Sequence, residues 1–284
     1  MSELLIVLGP TAVGKTDYSI SLAEKFGSPV ISCDSRQIYR EMKIGTAPPS
    51  PAQLERVRHY FIGSRSVAEP YTAGKYEIDA LALLEELFKD HSVLVMAGGS
   101  GLYIDALCNG LDAFPDVDPA VRSTLMRRLE TEGLESLRFD LRRLDPVTYE
   151  TIDTANRQRV VRALEVCIGT GRPFSSFKTS SPRQRPFSIR KVGLTREREE
   201  LYDRIDRRVD LMMDAGLEQE VRGLVRYRDL PALNTVGYRE TFGYLDGRYP
   251  LEEAVRLIKR NTRHYAKKQL SYWSRDDSIE WISL

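Results

Sequence analysis

The chain has 284 residues, 42% hydrophobic and 29% charged, the composition of a globular protein and not of a disordered one. Its first apolar run, Leu4 to Leu8, is five residues long, against the roughly 20 that a membrane-spanning helix needs, and it lacks the basic leader and small-residue cleavage site of a signal peptide. Three cysteines far apart in sequence, Cys33, Cys108 and Cys167, argue against a disulfide framework or a zinc ribbon and suit reduced thiols in the cytoplasm.

In chain order, LLIVLG (4–9) is followed by a helical pattern from about Lys15 to Phe26, the run PVISCD (29–34), a helix from about Thr72 to Lys89 and the run SVLVMAGG (92–99). Short buried runs bounded by Gly or Asp, with helices between them, describe an α/β fold with a parallel sheet and helices on both faces. After Asn109 the texture changes: DAFPDVDP (112–119) reads as a loop, Ala120 to Cys167 as helical, and TGRPFSSFKTSSPRQRP (170–186) as an exposed loop. FSIRKVGLT (187–195) returns to strand, and long amphipathic helices follow. The order describes a core of residues 1–112 and 186–284 with an all-helical insertion over 113–185.

Net charge is +1, from 42 basic and 41 acidic residues, which alone predicts no nucleic acid. The distribution differs: seven Lys/Arg and no Asp or Glu lie between Val255 and Arg275. Arg256, Arg260, Arg263 and Lys267 form a basic stripe able to meet phosphates, beside a stripe of Val255, Ile258, Thr262, Tyr265 and Tyr272 that reads as core. His59, His91 and His264 are scattered and read as structural.

GPTAVGKT (9–16) has the G-x-x-x-x-G-K-T spacing of a phosphate-binding loop, after a buried strand and before a helix. The loop Gly9, Pro10, Thr11, Ala12, Val13 and Gly14 would curl its backbone N–H groups around phosphate oxygens. Lys15 would supply a full charge and Thr16 a hydroxyl for Mg²⁺. The third apolar run ends in Ala97-Gly98-Gly99, without the carboxylate that usually holds Mg²⁺ in ATP-hydrolysing relatives of this loop. Asp34 ends the second run and faces the same crevice outside the strand ends. It reads either as a general base or as an Asx-type helix cap. Ser35, Arg36 and Gln37 are either readers of a polar substrate edge or a solvated loop.

GPTAVGKT (9–16), DSRQIYR (34–40), KIGTAPP (43–49), GGSGLY (98–103), NRQRVVRALEV (156–166), LYDRIDRRVDLMMDAGLEQEV (201–221), VGYRE (236–240) and TRHYAKKQLSYW (262–273) occur in that order. Together they resemble the bacterial tRNA dimethylallyltransferase family. The resemblance implies a P-loop NTPase-like core and transfer of a dimethylallyl group from its diphosphate to N6 of the adenosine 3′ of the anticodon. Asp34 would be the base, and Lys15, Thr16 and Mg²⁺ would hold the departing pyrophosphate. Arg204, and Arg198 with it, would add charge there, or lie on the surface in ion pairs. The tRNA contacts implied are Asp34, Ser35, Arg36, Gln37, Ser100, Arg122, Gln158, Arg159, Val160, Val161, Arg162, Asn234, Thr235, Val236, Gly237, Tyr238 and Arg239. Tyr238 beside the Arg239 charge would stack on a base, or else belongs to the core. A cytoplasmic monomer with no membrane contact is expected.

Three positions depart from the family pattern: Pro48 for a lysine, Gly63 for an aspartate and Ser100 for a threonine. The alternatives are an ATP-dependent small-molecule kinase, which leaves the basic C-terminal helix without a purpose, and a non-catalytic RNA-binding protein, against which the intact Lys15, Thr16 and Asp34 argue.

Overall fold

Leu4 to Leu8 are buried at every position, which requires a strand covered on both faces. That strand, β1 (Glu3–Leu8), lies at the middle of a six-stranded sheet with β2 (Val30–Ser32), β3 (His59–Tyr60), β4 (Val93–Ala97), β5 (Ser188–Thr195) and β6 (Ile279–Ser283), in the order β3-β2-β4-β1-β5-β6. All five pairings are parallel; Leu5 of β1 stands opposite Val95 of β4 and Arg190 of β5. The computed structural model describes residues 2–179 and 183–284.

Parallel neighbours need crossover connections, supplied first by α1 (Lys15–Phe26), α2 (Pro51–Arg56), α3 (Ala73–Leu87) and α4 (Gly101–Asn109). Side chains alternate across a strand, so Leu5 and Val7 face α1, packing with Val13, Ile20 and Ala23. Met96 points to the opposite face, where Tyr76 of α3 reaches it and donates to the Ser32 carbonyl at 3.1 Å. The termini are capped locally: Thr72 accepts from the Lys75 amide at the start of α3, and Ser50 forms a capping box with Gln53 at the start of α2.

Two compact units divide the chain. One is Met1–Asn109 with Gln184–Leu284; the other is Gly110–Arg183. The second holds α5 (Pro119–Thr131), α6 (Leu134–Leu144), α7 (Pro146–Thr151), α8 (Arg157–Thr170) and a short 3-10 turn over Phe174–Phe177. Leu125, Leu137, Leu141, Val160, Val161, Ala163 and Leu164 form its core. Asp145 is buried there, accepting from the backbone and hydroxyl of both Thr148 and Ser175. Those four donors hold its carboxyl below the usual range against the opposing effect of burial. The segment read from sequence as an exposed loop over 170–186 contains that 3-10 turn; its residues 180–182 lie outside the described residues.

After β5 come α9 (Arg198–Asp214), α10 (Leu217–Gly223), α11 (Tyr238–Leu245) and α12 (Leu251–Trp273). Leu201 and Ile205 of α9 and Ala266 of α12 complete the layer that α1 begins. Among the described residues no helix is long and apolar enough to cross a membrane. Because β2, β4 and β1 are adjacent, the turns that leave their carboxyl ends meet at one edge of the sheet. That edge carries Asp34, Gly98 and the phosphate-binding loop.

Candidate functional site

The loop from Gly9 to Thr16 takes a backbone path that suits an anion. Gly9 has φ +145°, and a Cβ there would lie 2.7 Å from the Leu194 carbonyl oxygen, so β1 leaves the sheet through a position that only glycine fills. Ala12 holds φ +66° without that freedom, a cost that local hydrogen bonding has to offset. Three arginines supply those bonds or lie beside them. Arg196 Nε donates to the Val13 carbonyl and Arg204 Nε to the Ala12 carbonyl, each at 2.8 Å, and Arg208 Nη1 lies 3.5 Å from Thr11 Oγ1. Gln269 of α12 closes the ring: its Oε1 accepts from the Thr11 amide at 2.8 Å and its Nε2 donates to the Gly99 carbonyl at 2.9 Å.

Lys15 Nζ folds back onto the Gly9 and Pro10 carbonyls at 2.8 and 2.7 Å. Burial, and then the Arg208 charge, lower its pKa to about 8. Burial and the neighbouring Arg204 likewise lower that of Arg208. The loop therefore concentrates positive charge in a cavity of about 240 Å³ lined by Lys15, Thr16, Asp34, Arg204, Arg208 and Gln269, among others. Such charge in a partly desolvated hollow suits a phosphate-bearing ligand.

Asp34 lines this cavity and a second one of about 310 Å³, bounded by Ser35, Arg36, the 234–237 turn and Arg239. Its Oδ1 accepts from the amides of Arg36 at 2.8 Å and Gln37 at 3.2 Å. Oδ1 thus organises an Asx turn, with no helix following for it to cap, and among the described residues Oδ2 accepts from no protein donor. The Ser35 amide donates to Ser100 Oγ at 2.9 Å, so serine at position 100 ties the turn after β4 to the turn after β2. Thr46 and Ala47 belong to the walls of both cavities, and Pro48, the departure from lysine, lines the first. The Gly63 amide donates to the Gln37 carbonyl at 2.9 Å.

Several expected site residues stand elsewhere. Tyr238 is fully buried, with its hydroxyl donating to Glu220 Oε1 at 2.6 Å, so its ring has no face to offer a base. Arg239 beside it is exposed and lines the second cavity. Val160 and Val161 are fully buried in the core of the helical unit. Their neighbours differ: Arg159 is exposed, and Arg122 and Arg162 both reach the buried Glu165 carboxylate, at 3.0 and 3.2 Å, with Gln158 accepting from Arg122. Arg198 lies over the Tyr202 ring instead of at the phosphate loop.

The stripe on α12 read as core also divides. Ile258 is buried, whereas Tyr265 and Tyr272 are 42% and 43% exposed; Tyr265 lines both cavities. In the basic stripe, Arg256 pairs with Glu253 and Arg263 with Asp206, as does Lys259 with Asp210. Acids from outside the 255–275 segment thus neutralise part of its field. The groups missed from sequence, Arg208 and Gln269, carried a signal: each sits four residues from a residue already noted, Arg204 and Tyr265, on the same helical face.

All three cysteines are buried thiols, and burial pushes those of Cys33, Cys108 and Cys167 up. Among the described residues no three His, Cys, Asp or Glu side chains gather where they could hold a metal by themselves. The Thr16 hydroxyl makes no hydrogen bond to protein among those residues and lines the first cavity. It fits a Mg²⁺ completed by phosphate oxygens and water, the usual manner for that ion.

A family model described as IPP transferase matches residues 37–276. A tRNA dimethylallyltransferase 1 of Bacteroides thetaiotaomicron is 50% identical over 99% of this chain and 92% of its own. A tRNA dimethylallyltransferase 2 of Porphyromonas gingivalis is 52% identical, over 98% of this chain and 93% of its own. Among solved structures, the full-length tRNA isopentenylpyrophosphate transferase of Bacillus halodurans superposes with a TM-score of 0.73 at 35% identity, covering 100% of this chain and 90% of that one.

Proposed function

Because the chain belongs to the IPP transferase family, we propose that it transfers the dimethylallyl group of dimethylallyl diphosphate to N6 of the adenosine 3′-adjacent to the anticodon in tRNA, releasing pyrophosphate. The observation that carries the reading is the position of Asp34, in the wall of both the phosphate-loop cavity and its neighbour. A diphosphate in the first and an adenine reached through the second would meet beside its carboxylate.

Adenine N6 is a weak nucleophile because its lone pair is delocalised into the ring. As the N6–C1 bond forms and the C1–O bond breaks, Asp34 Oδ2 takes the N6 proton, while Oδ1 stays on the Arg36 and Gln37 amides and fixes the carboxylate plane. Charge developing on the departing pyrophosphate is met by the loop amides, Lys15 and the Arg204 and Arg208 guanidiniums. Mg²⁺ at Thr16 would supply further charge to the same oxygens. The Ala97-Gly98-Gly99 end of β4 offers no carboxylate, which supports a leaving-group cradle over ATP hydrolysis.

For tRNA, the half-buried Ser35, Arg36 and Gln37, the exposed Arg239 and the 234–236 turn suit the base and its neighbours, and Arg122, Gln158, Arg159 and Arg162 suit phosphates. The target base has to leave the anticodon-loop stack to reach the cavity. One chain provides every group invoked, which fits a monomer, and a tRNA substrate fits the cytoplasm. The test is incubation with dimethylallyl diphosphate, Mg²⁺ and unmodified tRNA, followed by nucleoside mass analysis. An adenosine heavier by C5H8 is expected; its absence across adenosine-bearing tRNAs, from folded protein, overturns the reading.

A further inference from the structure

We infer that Glu220 is a positioning residue for this reaction, holding through the amides of residues 43–45 the loop that the two cavities share as a wall; the inference rests on the function proposed above. Glu220 lies on α10, a short helix with no group in the reacting centre. Its Oε2 accepts from the amides of Lys43 and Ile44, each at 2.7 Å. Its Oε1 accepts from the Gly45 amide at 3.0 Å and from the Tyr238 hydroxyl at 2.6 Å. Among the described residues no Lys or Arg pairs with it. Successive amides converging on one anion form a backbone nest, and here the anion belongs to the protein.

What the nest holds matters for the site. Among the described residues three other than glycine have positive φ, and Ala47, at +45°, is one of them. An L-residue in that region persists only where its surroundings impose it. Glu220 and Tyr238 hold the start of the loop. Gln37 holds its end, donating from Nε2 to the Thr46 and Ala47 carbonyls at 3.2 and 3.0 Å. Thr46 Oγ1 donates to the Met42 carbonyl at 2.6 Å. Gly45 lies directly on the Tyr238 ring, and a Cβ there would come within 2.6 Å of it. The loop so fixed places Thr46 and Ala47 in both cavities, beside Asp34. Glu220 therefore acts through the loop on the binding of both substrates.

Glu220→Gln keeps the volume but offers an NH2 group to a ring of donors, so some of the four bonds are lost. Two measurements follow. Backbone hydrogen exchange at residues 43–45 should quicken by roughly a hundredfold. The KM values for dimethylallyl diphosphate and for tRNA should each rise about tenfold, since both cavities lose a wall. A purely structural role would reduce the active fraction and leave both KM values where they were. Tyr238→Phe, which deletes one bond only, should move the same quantities in the same direction by less, and it stands in if Glu220→Gln does not fold. Unchanged exchange in a folded variant overturns the tether; quickened exchange with both KM values within twofold of wild type overturns the positioning role. Wild-type protein that makes no prenylated adenosine would defeat the reaction itself, while the exchange rates would still decide the tether.

Discussion

Lys15 and Arg208 face one cavity as like charges, and among the described residues neither has a carboxylate partner. After burial, Arg208 is the largest influence lowering the Lys15 pKa, to about 8. A diphosphate bound between them removes the repulsion and raises that pKa towards its ordinary value. Below pH 8 the ammonium is charged in both free and bound protein, and affinity is at its full value. Above it, the free protein has lost the proton that the complex takes up, so Kd should climb by up to about tenfold per pH unit. Calorimetry near pH 8.5 in two buffers of different ionisation enthalpy should report proton uptake on binding; none, with Kd level to about pH 9.5, would show that Lys15 does not sense the ligand.

Asp34→Asn is the informative change at the proposed base. Asparagine Oδ1 can still accept from the Arg36 and Gln37 amides, so the Asx turn is retained while the proton acceptor is lost. Transfer should fall by about 10²–10⁴-fold, with tRNA affinity in a filter-binding assay changed by less than about threefold. A variant whose tRNA binding collapses while single-turnover transfer at saturation persists would reassign Asp34 to recognition.

Gln269→Leu leaves the Thr11 amide and the Gly99 carbonyl without their partner. Each unsatisfied group costs about 1–3 kcal/mol where water cannot replace the bond, so the melting temperature should drop. The phosphate loop loses the hydrogen bond that ties its Thr11 amide to α12, and KM for dimethylallyl diphosphate should rise. Unchanged melting and KM would mean that Gln269 supports neither the turn nor the loop.

Leu164→Ala tests the helical unit separately. Leu164 is fully buried among Leu137, Leu141 and Val160, and its truncation should cost about 2–5 kcal/mol. Denaturant unfolding should show the loss, and tRNA affinity should weaken through Arg159 and Arg162 of the same helix. Binding of dimethylallyl diphosphate to the other unit should be kept; equal loss of both would make the two units one cooperative body.

The phosphate loop was legible because its donors are consecutive residues, and Asp34 because strand ends of a parallel sheet point to one edge whatever the packing. The change of texture after Asn109 likewise marked a separate helical stretch. The edge strands β3 and β6 and the short α2 were not legible, since a two-residue strand carries no period and the pattern of β6 gives no pairing partner.

Partnership across the chain was decided only by tertiary structure. On α9, Arg204 and Arg208 share a face, while Arg198, six residues before Arg204, points about 120° away at 100° per residue, and so stacks on Tyr202 instead. The VGYRE block names an aromatic beside a charge, but which of the two is covered depends on Gly45 and Glu220, remote in sequence. Val160 and Val161 follow the same rule: a helix periodicity gives the angle between side chains, and the neighbouring helices determine which angle is inside. The chemistry of single residues and contiguous loops is thus written in the sequence. Burial and hydrogen-bond partnership depend on residues far apart along the chain, and only the folded structure brings those together.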